Sequence, residues 1–371
     1  MNIRIRTRRA LLGFAAPLFV CAAFASAHGE EAGNGQALVK EKSVETYADL
    51  PYTSVLPLPE GPVKIEGKKK ILVGFSQTCF TFPYRVAMLE SVLAEAKRHP
   101  DVEIITTDAG CNLAKQSNDI DDLFAKGVDA LIVSPLEANG LSNAVRRVMD
   151  AGKPVIAIDR DIYGPKTLFI SQDNISLAKA EAEQMITDIG GKGKIAEITG
   201  LSGTSVAIDR GKGLAEALKG HPDVQLVARG DGEWEREKTA SVTDDFISRF
   251  PDLNAIFTHG EDMGWAAARS VARAGKCKQI GVYTIDASRA GMQSVADGQL
   301  AGNIGYSALI GDIGLRAAIY ALRGQEFPNA EKYDQPGLRL RLPNGDPVTK
   351  SNANEAIKTG WGRFAPPSNP C

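Results

Sequence analysis

The chain has 371 residues, room for two ordinary domains, and its 43 lysines and arginines nearly balance 45 aspartates and glutamates. A net charge of −2 excludes a general nucleic-acid surface, because neutralising phosphates needs a clear basic excess. Beyond the first 27 residues no apolar run is long enough to span a bilayer.

Arg4, Arg6, Arg8 and Arg9 make a positive start, residues 10–25 are apolar, and Ala25-Ser26-Ala27 fits a small-residue cleavage site. The segment reads as an export signal. Thr7-Arg8-Arg9-Ala10-Leu11-Leu12 suits a twin-arginine signal, and an ordinary Sec signal fits equally well. Bulky Val20 before Cys21 argues against a lipoprotein anchor. Cleavage near Ala27 removes four arginines and no acid, leaving a net charge of −6 on an exported, periplasmic chain. Residues 28–68 carry scattered Gly and Pro and read as an extended arm.

From residue 69 strands and helices alternate. Strands are predicted at 71–75, 102–106, 130–134 and 154–159, with helices at 85–97, 117–125 and 141–151 between them. A crossing strand at 168–174 and a helix at 176–189 lead into a second series. Its strands are 194–199, 224–229, 255–258, 280–285 and 302–306; its helices are 207–219, 238–249, 264–274 and 290–297. A helix at 310–323 and a strand at 338–342 follow. The two series share a phrase. RHPDVEII at 98–105, GHPDVQLV at 220–227 and RFPDLNAIF at 249–257 each end a helix, turn at proline and start a β-branched strand. Tandem α/β units of one design predict two similar Rossmann-like lobes with parallel sheets and right-handed crossovers. The first lobe is assigned 69–171 and 307–337, the second 172–306 with the tail 338–371. Crossings are expected near Gln172, Tyr306 and Leu342.

Four cysteines remain after cleavage, and export permits disulfides. Cys79 and Cys111 follow the first two strands, which parallel pairing sets side by side, so they form the preferred bridge. Cys277 and Cys371 form the second. No cysteine–histidine spacing suggests zinc, and no metal or cofactor is expected.

Ligands on open parallel sheets bind beyond the carboxyl ends of the strands. That rule selects the loops at 75–85, 108–112, 134–137, 159–163, 199–205, 229–236, 258–263 and 285–289. The first holds Phe80, Phe82, Tyr84 and Arg85; later ones hold Asp159, Arg160, Trp234, His259 and Asp286, and Arg210 opens a helix after such a loop. Aromatic faces beside carboxylates and guanidinium groups suit a polyhydroxylated ligand, whose C–H faces stack and whose hydroxyls donate to Asp and accept from Arg. Taken singly, the aromatics suit surface packing, Asp159 suits a cap, Arg210 suits pairing with Asp209 or Glu216, and His259 suits a polar pocket wall.

In chain order the motifs are GFSQ at 74–77, the aromatic loop ending at Arg85, NLAKQSNDIDDLFAKGVDALIVSP at 112–135, and IDR at 158–160. QDN at 172–174, GTSVAIDRGKG at 203–213, EWER at 233–236 and Asp262-Met263 complete them. From about Lys69 to Leu342 the chain resembles the type I periplasmic sugar-binding proteins, the solute receptors of ABC importers, in particular the ribose- and galactofuranose-binding types. The resemblance implies a periplasmic-binding-protein-like fold of two lobes on a three-strand hinge, and capture of a monosaccharide-sized sugar or polyol for an inner-membrane permease. It implies a monomer and no catalytic residue. It gives Tyr84 and Trp234 stacking roles, makes Arg85, Arg160 and Arg210 cleft arginines, and makes Asp159 and Asp286 hydroxyl acceptors. Phe82 and Tyr306 complete the candidate set. Gly260 stands where the family often has Asn, and Tyr306 where it has Gln, so a ligand other than ribose is expected.

A dehydrogenase is the first alternative. Gly200-Leu201-Ser202-Gly203-Thr204 lacks the third glycine of a dinucleotide fingerprint, and no nucleophile–base spacing is evident. A transcription regulator would place a helix-turn-helix before the first lobe, where Gly and Pro are too frequent. An accessory protein presenting sugar to a sensor would have the same cleft.

Overall fold

The computed structural model describes residues 52–371 apart from 60, 64, 66 and 363; the export signal and most of the arm lie outside the described residues. The first half runs β1 (Ile71–Gln77), α1 (Pro83–Ala96), β2 (Val102–Asp108), α2 (Leu113–Ala125), β3 (Ala130–Val133), α3 (Ser142–Asp150), β4 (Val155–Ile158) and β5 (Leu168–Gln172). The second runs α4 (Asn174–Asp188), β6 (Gly193–Thr199), α5 (Ser205–Leu218), β7 (Val224–Asp231), α6 (Arg236–Arg249), β8 (Leu253–Thr258), α7 (Glu261–Arg273), β9 (Gly281–Asp286), α8 (Arg289–Ala296) and β10 (Gly302–Gly305). Then come α9 (Ile310–Leu322), β11 (Glu331–Lys332), β12 (Leu338–Leu342), β13 (Pro347–Val348), α10 (Ala353–Ala356) and a 3-10 turn, Ile357–Thr359.

Two sheets result. One has the order β11-β12-β5-β4-β3-β1-β2, the other β13-β10-β9-β8-β6-β7. Both are parallel except at β11 and β13. In each, the first strand of the unit lies between the second and third, so the order reverses at β1/β3 and at β6/β8. Those reversals open crevices at the carboxyl ends of the strands. β3 and β4 are buried on every residue, as central parallel strands covered by helices should be.

The shared phrase is a shared turn. Val102 N donates to His99 O at 2.9 Å, Val224 N to His221 O at 3.0 Å, and Leu253 N to Phe250 O at 3.1 Å. Proline follows the acceptor each time, where its fixed φ suits the first central position of a turn.

The chain passes between the sheets after Gln172, at Tyr306 and after Leu342. Gln172 ties the passages together. Its Nε2 donates to Gly305 O at 3.2 Å and Pro343 O at 3.1 Å, and its Oε1 accepts from Ser307 N at 2.7 Å. One assignment needs correction. Residues 338–342, expected in the second lobe, are β12 of the first sheet, paired in parallel with β5 from Leu338↔Leu168 to Leu342↔Gln172. Leu340 and Leu342 enter the first lobe's core, while Arg339 and Arg341 face outward to Glu331. The passage follows the strand instead of preceding it.

Both expected disulfides are present. Cys79 and Cys111 sulfurs lie 2.02 Å apart and Cys277 and Cys371 sulfurs 1.98 Å apart. The described part of the arm lies on the first lobe, with Leu56 and Val63 in its core and Pro57 O accepting from Tyr320 OH at 3.2 Å. Among the described residues no helix is long and apolar enough to cross a membrane.

Candidate functional site

The carboxyl ends of the two sheets face each other across a cleft. Two hydrogen bonds bridge it away from the passages: Asp161 N to Ser205 Oγ at 2.9 Å and Ala138 N to Gly203 O at 3.3 Å. The lobes are therefore in contact. Between them lies a cavity whose empty space, open solvent included, is about 480 Å³. Its walls hold every candidate binding residue: Phe82, Tyr84, Arg85, Asp159 and Arg160 from the first half, Arg210, Trp234 and Asp286 from the second, and Tyr306 from a passage between them. Val206, Gly260, Asp262 and Met263 also line it.

Asp159 is the hub of the first wall. It follows β4 directly with φ 68, a left-handed conformation that Asp tolerates better than most residues. Its Oδ2 accepts from Arg85 Nη1 at 2.7 Å and Ser134 Oγ at 3.3 Å, and Tyr84 OH reaches Oδ1 at 3.5 Å. Arg160 Nε lies 3.7 Å from Oδ2, and Arg160 Nη1 donates to Leu136 O at 3.1 Å. Burial alone would raise the Asp159 pKa, but Arg85, Arg160 and Arg210 outweigh it and hold the carboxyl below its usual range. Burial, reinforced by Arg85, pushes Arg160 down to about 9.

The second wall mirrors this. Arg210, on α5, donates from Nε to Asn174 Oδ1 at 2.9 Å and from Nη1 to His259 O, with Asp286 Oδ1 3.5 Å away. It pairs with neither Asp209 nor Glu216. Asp286 ends β9 at φ 121, and its Oδ2 accepts from Glu261 N at 3.2 Å. Burial, opposed by Arg210, pushes Asp286 up to about 7. The surroundings thus favour the charged form of the carboxyl on one wall and the neutral form of that on the other.

Aromatic rings close the ends. Trp234, at φ 68, lies 5.6 Å from the Arg160 guanidinium and 5.9 Å from that of Arg210. Tyr306 lies 4.7 Å from the Arg210 guanidinium, and its OH donates to Asp159 O at 3.0 Å. These cation–π contacts pack the arginines without neutralising them. Two glycines make room for the indole. A Cβ at Gly200 would lie 2.0 Å from Trp234 Cζ2, and one at Gly260 would lie 3.3 Å from Trp234 Cζ3. The Gly260 departure therefore has a steric partner in Trp234.

His259 does not form the pocket wall expected of it. Its ring is fully buried, with Nε2 2.9 Å from Glu197 Oε1, and only its carbonyl serves the site through Arg210. The chain turns toward the cavity one residue later, at Gly260. Val206 and Met263 carry no polar signal, so sequence reasoning assigned them no role. Among the described residues no group of three or more His, Cys, Asp or Glu is arranged to hold a metal ion.

Two lobes on three passages with a polar and aromatic cavity between them define the type I periplasmic binding protein fold, and residues 73–326 match the family described as periplasmic binding protein domain. The chain belongs to that family, whose members are solute-binding proteins. It is 28% identical over 267 residues to the ribose import binding protein of Bacillus subtilis (strain 168), covering 71% of this chain and 86% of that one. It is 28% identical over 294 residues to the galactofuranose-binding protein of Escherichia coli (strain K12), covering 76% and 86%. The solved fructose-binding periplasmic domain of a hybrid two-component system superposes with a TM-score of 0.71 at 28% identity, covering 78% of this chain and 94% of that one.

Proposed function

We propose that this protein captures a neutral sugar or polyol of about monosaccharide size between its lobes and delivers it, closed, to an ABC permease of the inner membrane. The observation that carries the reading is the cavity itself, whose carboxylates, guanidinium groups and aromatic faces come from both lobes. A ligand that touches both walls favours the closed population over the open one, and closure is the signal a permease reads. Three arginines invite an anionic ligand, but Arg85 is committed to Asp159 at 2.7 Å and Arg210 faces Asp286. A sugar acid would bring its carboxylate against Asp159. The ring-hydroxyl chemistry supports a neutral ligand, and no bond-making step is required of any residue. The protein acts as a monomer in the periplasm after signal cleavage.

A thermal-shift panel of D-ribose, D-allose, D-fructose, L-arabinose, D-galactose, xylitol, myo-inositol and sugar acids tests this. A ligand at about a hundred times its dissociation constant stabilises by about 2.7 kcal/mol, which the method detects. Stabilisation by sugar acids alone would sink the neutral-ligand reading. A second reading, presentation of sugar to a sensor, is favoured by the likeness to the periplasmic domain of a two-component system. Uptake of labelled sugar by cells with and without the protein separates the two.

A further inference from the structure

The tail carries an indole into the wall behind the cavity. Trp361 follows the 3-10 turn, lies beyond the 73–326 span of the family match, and is 6% exposed. Its ring packs on Ala87 of α1 and on Ala308 in the second passage. It meets Tyr84 edge-on, with ring centroids 5.5 Å apart at 84°. Its Nε1 donates to Asp286 O at 2.9 Å, the same carbonyl that accepts from Tyr306 N at 3.0 Å. One side chain thus touches the first lobe through Tyr84 and the second through Asp286, a residue held at φ 121.

The tail itself belongs to the second lobe. Trp361 O accepts from Arg289 N at 2.8 Å, and Phe364 packs between Trp361 and Trp265. Asn369 Nδ2 donates to Asp297 O at 2.9 Å, and Cys371 is joined to Cys277. A hinge opening that carries α1 away from α8 must slide Tyr84 off the indole.

We propose that Trp361 is a positioning residue of the sugar site. The disulfide-anchored tail uses it to fix the Tyr84 ring and the Asp286 backbone in their ligand-ready places, and so to favour the closed arrangement. The inference rests on the cavity being the sugar site. Rings and N–H groups of this kind separate by substitution: Phe keeps the edge contact and loses the donor, whereas Leu loses both.

The experiment measures affinity by calorimetry, with the panel sugar that stabilises the unaltered protein most, in Trp361→Phe, Trp361→Leu, Tyr84→Leu and the Tyr84→Leu/Trp361→Leu double variant. Trp361→Leu should weaken binding about tenfold or more, and Trp361→Phe less, on the scale of one lost hydrogen bond or ring contact. In the Tyr84→Leu background the same change should cost less than about threefold, since residues acting as a unit are not additive. A purely structural role would give equal losses in both backgrounds, and that result, or unchanged affinity in Trp361→Leu, overturns the proposal. The Cys277→Ser/Cys371→Ser variant should shift affinity in the same direction. If no panel sugar binds the unaltered protein, the sugar reading fails, and hydrogen exchange then decides the inference. Faster exchange at 82–88 and 286–289 in Trp361→Phe, with 71–77 unchanged, supports it; no change at those segments overturns it.

Discussion

Replacing Asp159 tests how the site balances charge. The carboxylate accepts from Arg85 at 2.7 Å and Ser134 at 3.3 Å, with Arg160 Nε 3.7 Å away, and its side chain is almost fully buried. Two unit charges about 4 Å apart interact by about 4 kcal/mol at an effective dielectric of 20, before desolvation is subtracted. Removing one partner of such a buried pair costs about 3–5 kcal/mol, because the remaining guanidinium groups are stranded together. Asp159→Asn keeps the shape, the acceptor oxygen and a residue type that tolerates φ 68. Asp159→Ala loses all three and adds the strain of a left-handed alanine, about 1–2 kcal/mol. Both variants should melt lower, by on the order of 10 °C, with Ala below Asn. Sugar affinity should fall about tenfold to a hundredfold in each, the scale of a lost hydrogen bond to a charged group. Differential scanning calorimetry reads the first effect and titration calorimetry the second. An Asp159→Asn protein with unaltered melting and affinity would refute the assignment of Asp159 as the hub of the first wall.

Gly260→Ala should fold normally, since φ at this position is not left-handed, yet its Cβ would press on Trp234 Cζ3 at 3.3 Å and Asp286 Oδ2 at 3.4 Å. Its affinity should fall several-fold, with a loss of stability of about 1 kcal/mol or less from the poorer helix N-cap; equal affinity would show that the indole does not shape the cavity. Stability of the ligand-free protein should decline as pH rises from 5 to 8. Burial raises Asp286 and Asp312 to about 7 and Glu261 to about 8, so the folded state holds protons that the unfolded state has released. That contribution is complete below pH 4 and lost through pH 7–8, at up to about 1.4 kcal/mol per pH unit for each group. Buried Glu181, raised well above the usual carboxyl range, acts in the same direction, and buried His259, held low by desolvation, opposes them below pH 6.5. Melting that rises across this window would contradict the buried-acid assignment.

The helices and strands were legible because parallel α/β units repeat their grammar. Core strands such as β3 and β4 are short apolar runs, a helix such as α3 has a 3.6-residue stripe, and the His-Pro-Asp or Phe-Pro-Asp turn punctuates three of the junctions. What alternation cannot encode is the partner. LRLRL at 338–342 announces a strand with one buried face, but which lobe covers Leu340 depends on where the chain has come from, and it comes from α9 on the first lobe. The two-residue strands β11 and β13 carry no periodicity at all.

The site followed the same division between position and partner. A topological rule chose the loops, and their polar contents then agreed, so Arg85, Asp159, Arg160, Trp234 and Asp286 could be picked out before any distance was known. Arg210 was less legible. Spacing along a helix suggests Asp209 or Glu216, whereas its guanidinium turns inward to Asn174, His259 O and Asp286, all far away in sequence. His259 failed in the opposite sense: it stands in a cleft loop, but the buried Glu197 on the neighbouring strand draws its ring beneath the wall. Trp361 was invisible for a third reason. It lies outside both repeats, in a tail whose course is set by a disulfide and by packing on α8, so no pattern along the chain points to Tyr84. Behind a wall assembled from two repeats, the tail sets Trp361 against Tyr84 and the Asp286 carbonyl, a contact that the repeated design alone does not specify.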